Sequence, residues 1–122
     1  MAAQNPPIDM MDQMVVARYA PLVLPRPLHA LPGGDYQKYM PRFNGQRETT
    51  AEEHWEAFLH YADNKDIEAK AIWMRMFVQS LDGDVRKWFR EFPANSITII
   101  EELRDLFMRQ WGDTKDHTYY II

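Results

Sequence analysis

The stretch from residue 49 to residue 63 places apolar side chains among acidic ones with the period of an α-helix. A threonine precedes a glutamate by three residues in two registers, beginning at Thr49 or at Thr50, and either pair can form a capping box. The apolar positions recur at i, i+3, i+4 and i+7, and they are Trp55, Phe58, Leu59 and Ala62. We therefore predict an amphipathic first helix that buries this face.

The next segment, which extends to about Leu81, is apolar on nearly every side of a helix. A polar turn of Asn64, Lys65 and Asp66 precedes it, and Gly83 follows it with the left-handed conformation that ends many helices. Its apolar residues are Ile67, Ala71, Ile72, Trp73, Met74, Met76, Phe77 and Val78. Because a helix without a polar face has to be covered on several sides, we predict that this second helix lies at the centre.

Two further helices are predicted before Gly112. The third helix is capped by Asp84 and stopped by Pro93. The fourth begins near Thr98, which stands three residues before Glu101 in another capping-box pattern. Their apolar faces comprise Val85, Trp88, Phe89 and Phe92 in the third helix, and Ile100, Leu103, Leu106 and Phe107 in the fourth. The predicted fold class is therefore all-α, a small orthogonal bundle of four to five helices.

One tryptophan falls on each of the predicted helices, at Trp55, Trp73, Trp88 and Trp111. Aromatic side chains bury large apolar areas, so this pattern predicts a ring-rich core shared by helices that cross at short connections. The residues that we expect to determine the fold are Trp55, Phe58, Trp73, Phe77, Leu81, Gly83, Trp88, Phe89, Leu103 and Phe107.

The first third of the chain has a different character. Seven of the eight prolines precede Arg42, where they fix backbone angles and remove amide donors. Residues 1–35 are therefore predicted to be a flexible, proline-rich leader outside the core, and residues 36–122 a helical domain truncated at its C-terminus. A short helix over residues 8–19 and the opening of a further helix after residue 112 are weaker expectations.

The segment from Tyr36 to Gly45 joins the leader to the first helix. A residue that precedes proline disfavours helix, and Asn44 with Gly45 favours a turn. We therefore predict an extended segment that ends in a turn, with Tyr39 and Phe43 holding it against the domain.

Composition restricts the class of protein. The 46% hydrophobic and 13% aromatic residues favour a packed interior over disorder. A formal net charge of -4 gives no overall positive field to attract nucleic acid. The chain has no cysteine, which rules out disulfides and cysteine-based zinc sites and fits the cytoplasm. Charged residues and proline break the early apolar stretch, so we expect no signal peptide and no membrane partner.

Residues with catalytic chemistry are present, but no catalytic or metal-binding motif is recognisable. His54 and His60 are six residues apart, which places them on different sides of a helix. The acidic runs at helix starts are explained by the favourable interaction of carboxylates with helix N-termini. Ser80 and Ser96 stand outside any nucleophile motif, and no phosphate-binding glycine loop occurs. We expect no enzyme, no metal, no cofactor and no small-molecule substrate.

Three sets of residues are candidates for partner surfaces. A basic set, which forms either a solvated helix face or a surface for RNA, comprises Arg86, Lys87 and Arg90. An aromatic set, which would line a peptide groove if its rings were exposed, comprises Tyr36, Tyr39 and Phe43. A methionine set, which forms either an adaptable groove or core filling, comprises Met74, Met76 and Met108.

An ordered series of short strings extends from the middle of the chain towards its end. The strings are Pro41-Arg42-Phe43-Asn44-Gly45, Trp73-Met74-Arg75, Gln79-Ser80-Leu81-Asp82-Gly83, Val85-Arg86-Lys87-Trp88-Phe89, Glu101-Glu102-Leu103 through Phe107, and Arg109-Gln110-Trp111-Gly112-Asp113-Thr114-Lys115-Asp116-His117. Together they resemble the Gag domain of plant gypsy-class long-terminal-repeat retrotransposons. The resemblance begins at about Tyr36 and continues to the end of the chain.

The resemblance implies an all-helical lobe similar to the N-terminal lobe of retroviral capsids. Such a lobe multimerises with copies of itself into a cytoplasmic virus-like particle, and RNA is bound mainly through downstream regions that this chain lacks. Leu81, Gly83, Trp88 and Phe89 would then be determinants of the fold. The chain departs from the pattern at Ile100, where relatives often have tryptophan. A host-adopted peptide-binding lobe and a weak RNA binder remain open alternatives.

Overall fold

Four α-helices and one 3-10 helix account for the regular structure in a computed structural model that describes residues 18–25, 28–46 and 48–112. The bounds are Tyr36–Tyr39 for the 3-10 helix, and Ala51–Asn64 (α1), Lys70–Gln79 (α2), Gly83–Arg90 (α3) and Ile100–Trp111 (α4) for the others. No strand longer than a single β-bridge occurs in the described ranges, so they are all-α, as predicted. The helix predicted over residues 8–19, except its last two residues, and the one predicted after residue 112 lie outside these ranges.

Helix α1 begins at the second of the two threonines that fit a capping box. The Glu53 amide donates to Thr50 Oγ1 over 3.0 Å, and the Thr50 amide donates to Glu53 Oε1 over 2.9 Å. The buried face is shifted from the predicted one, because His54 points into the core whereas Trp55 and Leu59 are only partly buried. The fully buried positions are Ala51, His54, Phe58 and Ala62.

Helix α2 lies at the centre of the fold, as its all-round apolar pattern predicts. Every residue from Met74 to Leu81 is buried. The ring of Phe77 meets four other rings at centroid distances of 5.5, 4.9, 5.2 and 5.0 Å, and these belong to His54, Trp55, Phe58 and Phe107. Because three of these rings come from α1 and one from α4, Phe77 joins three helices.

Phenylalanines, rather than tryptophans, form the fully buried part of the core. Each α-helix contributes one phenylalanine with 0% exposure, and they are Phe58, Phe77, Phe89 and Phe107. All four tryptophans are only partly buried and pack against the core, so the predicted ring-rich core is present but its fully buried rings are not the indoles. An indole is large and its N–H needs an acceptor, which Trp73 finds in the Ile67 carbonyl at 2.7 Å. Leu81 and Leu103 are buried as predicted, and Gly83 has the predicted left-handed conformation, with a φ of 54° where α3 begins.

Helices α3 and α4 use caps other than those predicted. The N-cap of α3 is Asp82 instead of Asp84, and its carboxylate makes no capping hydrogen bond because it binds Arg42. Before α4, the amide and hydroxyl of Thr98 donate to Oε1 of Glu102 over 2.7 and 2.6 Å, one residue beyond the predicted glutamate. The helix starts are thus close to the predicted positions, although the carboxylate partners differ.

Part of the predicted leader belongs to the core. Tyr19 and Leu22 are each only 3% exposed. Leu22 forms a parallel β-bridge with Ile97. The Ile97 amide donates to the Pro21 carbonyl over 2.9 Å, and the Val23 amide donates to the Ile97 carbonyl over 2.8 Å. The expectation that the leader stays outside the core is therefore wrong for these residues, because pairing with a distant segment leaves no local signature. The boundary between leader and domain stays a prediction.

The segment from Tyr36 to Gly45 was predicted to be extended. Its first four residues instead form the 3-10 helix. The hydroxyl of Tyr36 donates to Gln79 Oε1 over 2.7 Å, which ties this helix to the end of α2. Beyond it the chain is extended, and Phe43 forms a parallel β-bridge with Leu81. The predicted turn follows, with a φ of 85° at Gly45.

Replacing Phe89 by alanine tests the assignment of the core. The side chain is fully buried, so Phe89→Ala should lower the free energy of unfolding by about 3–5 kcal/mol through lost burial and the remaining cavity. Trp88→Ala is the matched control, since the neighbouring indole is larger but only partly buried, and it should cost clearly less. Urea denaturation followed by circular dichroism measures both. A greater loss in Trp88→Ala would contradict a phenylalanine core.

Candidate interaction surfaces

The loop before α1 is fixed to the corner between α2 and α3. The Phe43 amide donates to the Ser80 carbonyl over 2.9 Å, and the Asp82 amide donates to the Phe43 carbonyl over 2.8 Å. The Phe43 ring is 4% exposed and meets rings at centroid distances of 5.2, 5.3 and 6.4 Å, which belong to His54, Phe107 and Trp111. One side chain in the loop therefore holds together α1, the α2–α3 corner and α4.

Gly45 lies where the turn comes closest to the helices. A Cβ atom at this position would be 2.8 Å from Trp111 Cζ3 and 3.1 Å from Val85 Cγ2. Its φ of 85° is also one that side chains rarely adopt. Glycine is therefore required both for space and for backbone conformation. The asparagine–glycine turn is explained by packing, so it needs no ligand to account for it.

A small charged cluster covers this corner at the surface. Arg42 donates from Nε to Asp82 Oδ2 over 3.1 Å and from Nη2 to the other carboxylate oxygen, and Arg86 Nη2 lies 3.8 Å from Asp82 Oδ1. The hydrogen bonds between Arg42 and Asp82 lower the pKa of the carboxyl group and raise the pKa of the guanidinium. Because both side chains are about 40% exposed, solvent screens the pair, and its main effect is to orient the loop.

The predicted basic set does not form one free surface. Arg86 donates from Nε to the Leu81 carbonyl over 2.8 Å and from Nη2 to the Gln79 carbonyl over 3.4 Å, so it closes the C-terminal end of α2. Burial lowers the pKa of its guanidinium. Lys87 and Arg90 are exposed. Of the three cations in the predicted basic set, two remain at the surface and one has a structural role.

The predicted aromatic set does not line an open peptide groove. Tyr36 is 8% exposed and Phe43 is 4% exposed, so both rings belong to the core, whereas Tyr39 is 72% exposed. The methionine set fills the interior: Met74 and Met76 are buried, and Met108 packs against the core. Neither set therefore forms the groove that an amphipathic peptide would need.

A different groove, which the sequence did not indicate, opens between α1, α2 and α4. We call it the tryptophan groove. Its volume is about 150 Å³, and its apolar lining comprises Trp55, Leu59, Trp73 and Ile100. All four of these residues were predicted to be buried, and the partial exposure of Trp55, Leu59 and Trp73 creates the groove. The helical pattern shows which residues are apolar, but not how far three crossing helices stand apart.

Two polar side chains on α2 hold the segment before the 3-10 helix. Arg75 is 5% exposed, donates to the His29 carbonyl over 2.7 Å and lies 5.7 Å from the ring centroid of Tyr19. Gln79 is 2% exposed and donates to the Tyr19 hydroxyl over 2.7 Å. An arginine and a glutamine inside an otherwise apolar helix were the available signal that this side of α2 meets polar partners.

His54 is a core residue and not a ligand. Its ring is 1% exposed and stacks on Phe43, and its Nε2 lies 2.9 Å from Ser80 Oγ. The Ser80 hydroxyl donates to the Phe77 carbonyl over 2.6 Å, so its oxygen accepts the proton of Nε2 and leaves Nδ1 buried without a partner. Burial lowers the pKa of His54 to about 4. The ring is therefore neutral at physiological pH.

Among the described residues, no group of three or more histidine, aspartate or glutamate side chains is placed to hold a metal ion. No helix in the described ranges has the length and apolar character that crossing a bilayer requires. Comparison of the chain with protein-family models, curated proteins and solved structures found no match.

Lowering the pH from 6.5 to 4 should destabilise the fold through His54. In this window the unfolded chain, with the ordinary histidine pKa of 6.5, takes up a proton that the folded chain, with a pKa of about 4, does not. The free energy of unfolding therefore decreases as the pH falls, by up to about 3 kcal/mol at pH 4. Chemical denaturation at stepped pH values measures this loss. His54→Gln should remove it, whereas the exposed control His60→Gln should retain it; an undiminished loss in His54→Gln would contradict the assignment.

The structural role of Arg86 can be separated from a surface role. Arg86→Ala leaves the carbonyl of buried Leu81 without its donor and should lower the free energy of unfolding by about 1–3 kcal/mol. Lys87→Ala, at the exposed neighbouring position, should change it by no more than about 0.5 kcal/mol. Urea melts of the two variants give the comparison. Equal and small changes in the free energy of unfolding of the two variants would contradict a structural role for Arg86.

Proposed function

We propose that this chain is a structural, non-enzymatic assembly lobe of a retrotransposon Gag protein, whose copies contact one another in the shell of a virus-like particle. In this proposal the described helices correspond to a capsid N-terminal lobe. Other regions of the polyprotein bind most of the RNA, and the particle forms in the cytoplasm.

The observation that carries the proposal is the convergence of the strings on which the resemblance rests. Phe43, from the first string, pairs through its backbone with Ser80 and Asp82 in a later one. Its ring also meets Phe107 and Trp111, from the last two strings. Segments far apart along the chain thus form one packed unit, as expected if they are determinants of a single family fold.

The chemistry of the buried polar groups also supports a structural role. His54 is hydrogen-bonded to Ser80, and Arg75 is hydrogen-bonded to the His29 carbonyl, so each serves packing within the lobe. Helices α1 and α2 both pack on α4. The functional residues of such a module would lie at its surface, where copies meet.

The two alternatives gain no specific support. The peptide-binding alternative requires exposed rings at Tyr36, Tyr39 and Phe43, and of these only Tyr39 is exposed. RNA binding was argued from three cations on one face, and Arg86 is engaged with backbone carbonyls. Self-assembly requires neither a groove lined by these three rings nor a face of three free cations.

Sedimentation equilibrium of the full chain tests the proposal. We expect the average mass to rise with concentration, with dimers or larger species forming as the chain approaches about 1 mM, because single contacts in a multivalent shell are individually weak. Nuclease treatment is the control, and it should leave the association unchanged. A constant monomer mass over this range, or association that nuclease abolishes, would contradict assembly through protein surfaces.

A further inference from the structure

Tyr39 is the most exposed large apolar side chain in the described part of the chain, at 72%. It ends the 3-10 helix, and the Lys38 ammonium lies 5.5 Å from its ring centroid. Asp35, the N-cap of the same helix, is also exposed. We call Asp35, Lys38 and Tyr39 the tyrosine knob.

The 3-10 helix that carries the knob is tied to α2 by side-chain hydrogen bonds. Tyr36 is buried and its hydroxyl donates to Gln79 Oε1, and Gln37 Nε2 donates to the same oxygen over 3.0 Å. Because these bonds tie the helix that carries Tyr39 to α2, docking would order little more than the Tyr39 side chain itself. Tyrosine is also among the residues that most often dominate binding energy at protein interfaces. The knob therefore has the properties of an interface anchor.

The tryptophan groove provides a matching depression. Its floor is apolar, its volume is about 150 Å³, and its charged rim comprises Lys70, Glu101 and Arg104. The Lys70 ammonium lies 3.9 Å from the ring centroid of Trp73 and is exposed at the edge. Arg104 already donates from Nε and Nη2 to Asp105 Oδ1 over 3.2 and 3.1 Å. The rim thus offers the Glu101 carboxylate to a cation, and the Lys70 ammonium to a carboxylate.

The knob and the groove lie on different sides of α1. The Tyr61 hydroxyl donates to the Tyr36 carbonyl, so the 3-10 helix packs on the side of α1 that carries Tyr61. Trp55 and Leu59, which line the groove, are separated from Tyr61 by roughly 120–160° around the helix axis. One folded chain therefore cannot place its own knob in its own groove, and a second copy is needed.

We propose that the tyrosine knob of one copy docks into the tryptophan groove of the next. The Tyr39 ring would fill the apolar floor, with Lys38 facing Glu101 and Asp35 facing Lys70. Such a contact joins two different surfaces, so it propagates from copy to copy into rings or open chains. The inference rests on the proposed function, because it names the surfaces through which the assembly lobe would associate.

Sedimentation equilibrium of full-length variants tests the contact. Tyr39→Ser should weaken association at least about tenfold, since it removes the anchor ring. Lys38→Glu and Glu101→Lys should each weaken it about threefold or more by placing like charges together, and the double variant should recover most of the wild-type affinity. Lys87→Glu, which reverses an exposed charge on α3 away from both surfaces, is the control and should change nothing. Circular dichroism confirms that each variant is folded.

A mixing experiment adds a second criterion. The Tyr39→Ser chain keeps an intact groove and the Glu101→Lys chain keeps an intact knob, so an equimolar mixture should form heterodimers that stop at two copies. If the wild type associates but Tyr39→Ser associates equally well, this contact is overturned while assembly stands. Weakening without rescue in the double charge reversal overturns the pairing of the knob with this groove. A wild type that stays monomeric overturns both proposals.

Discussion

The burial of the C-terminal half of α2 is the constraint on which the rest of the structure depends. Every residue from Met74 to Leu81 is buried, so other segments have to cover this stretch on all sides. Phe77 supplies the apolar contact, since its ring meets three rings of α1 and Phe107 of α4. In a lobe this small, removing one such ring from the centre would affect three helices at once.

Polar side chains on the same helix determine which segments provide the cover. Gln79 binds the hydroxyls of Tyr19 and Tyr36, Arg75 binds the His29 carbonyl, and the backbone beside Ser80 pairs with Phe43. A buried amide or guanidinium that lost these partners would be costly, so each contact specifies one arrangement of the irregular segments. The same anchoring holds Tyr39 outward at the surface.

Helical periodicity and local capping chemistry were sufficient to predict four helices, the central position of α2 and the turn at Gly45. They could not distinguish Glu101 from Glu102 as the hydrogen-bond partner of Thr98, and in the structure the partner is Glu102. They also could not report tertiary distances. Trp55 and Trp73 are apolar and helical, yet they border an open groove, and Leu22 pairs with Ile97 across most of the chain. Arg86 was placed on the correct helix, but its carbonyl partners exist only after α2 and α3 have turned against each other.

Native-state hydrogen exchange tests the central role of α2 most directly. If burial of this helix holds the lobe together, the amides of residues 76–80 should exchange only through global unfolding, with protection equal to the full free energy of unfolding measured by denaturant. Amides of α3, the shortest α-helix in the described ranges, should exchange with lower protection through local opening. Protection in α2 that is no greater than in α3 would contradict the account, because the helix could then open while the rest of the lobe remained folded.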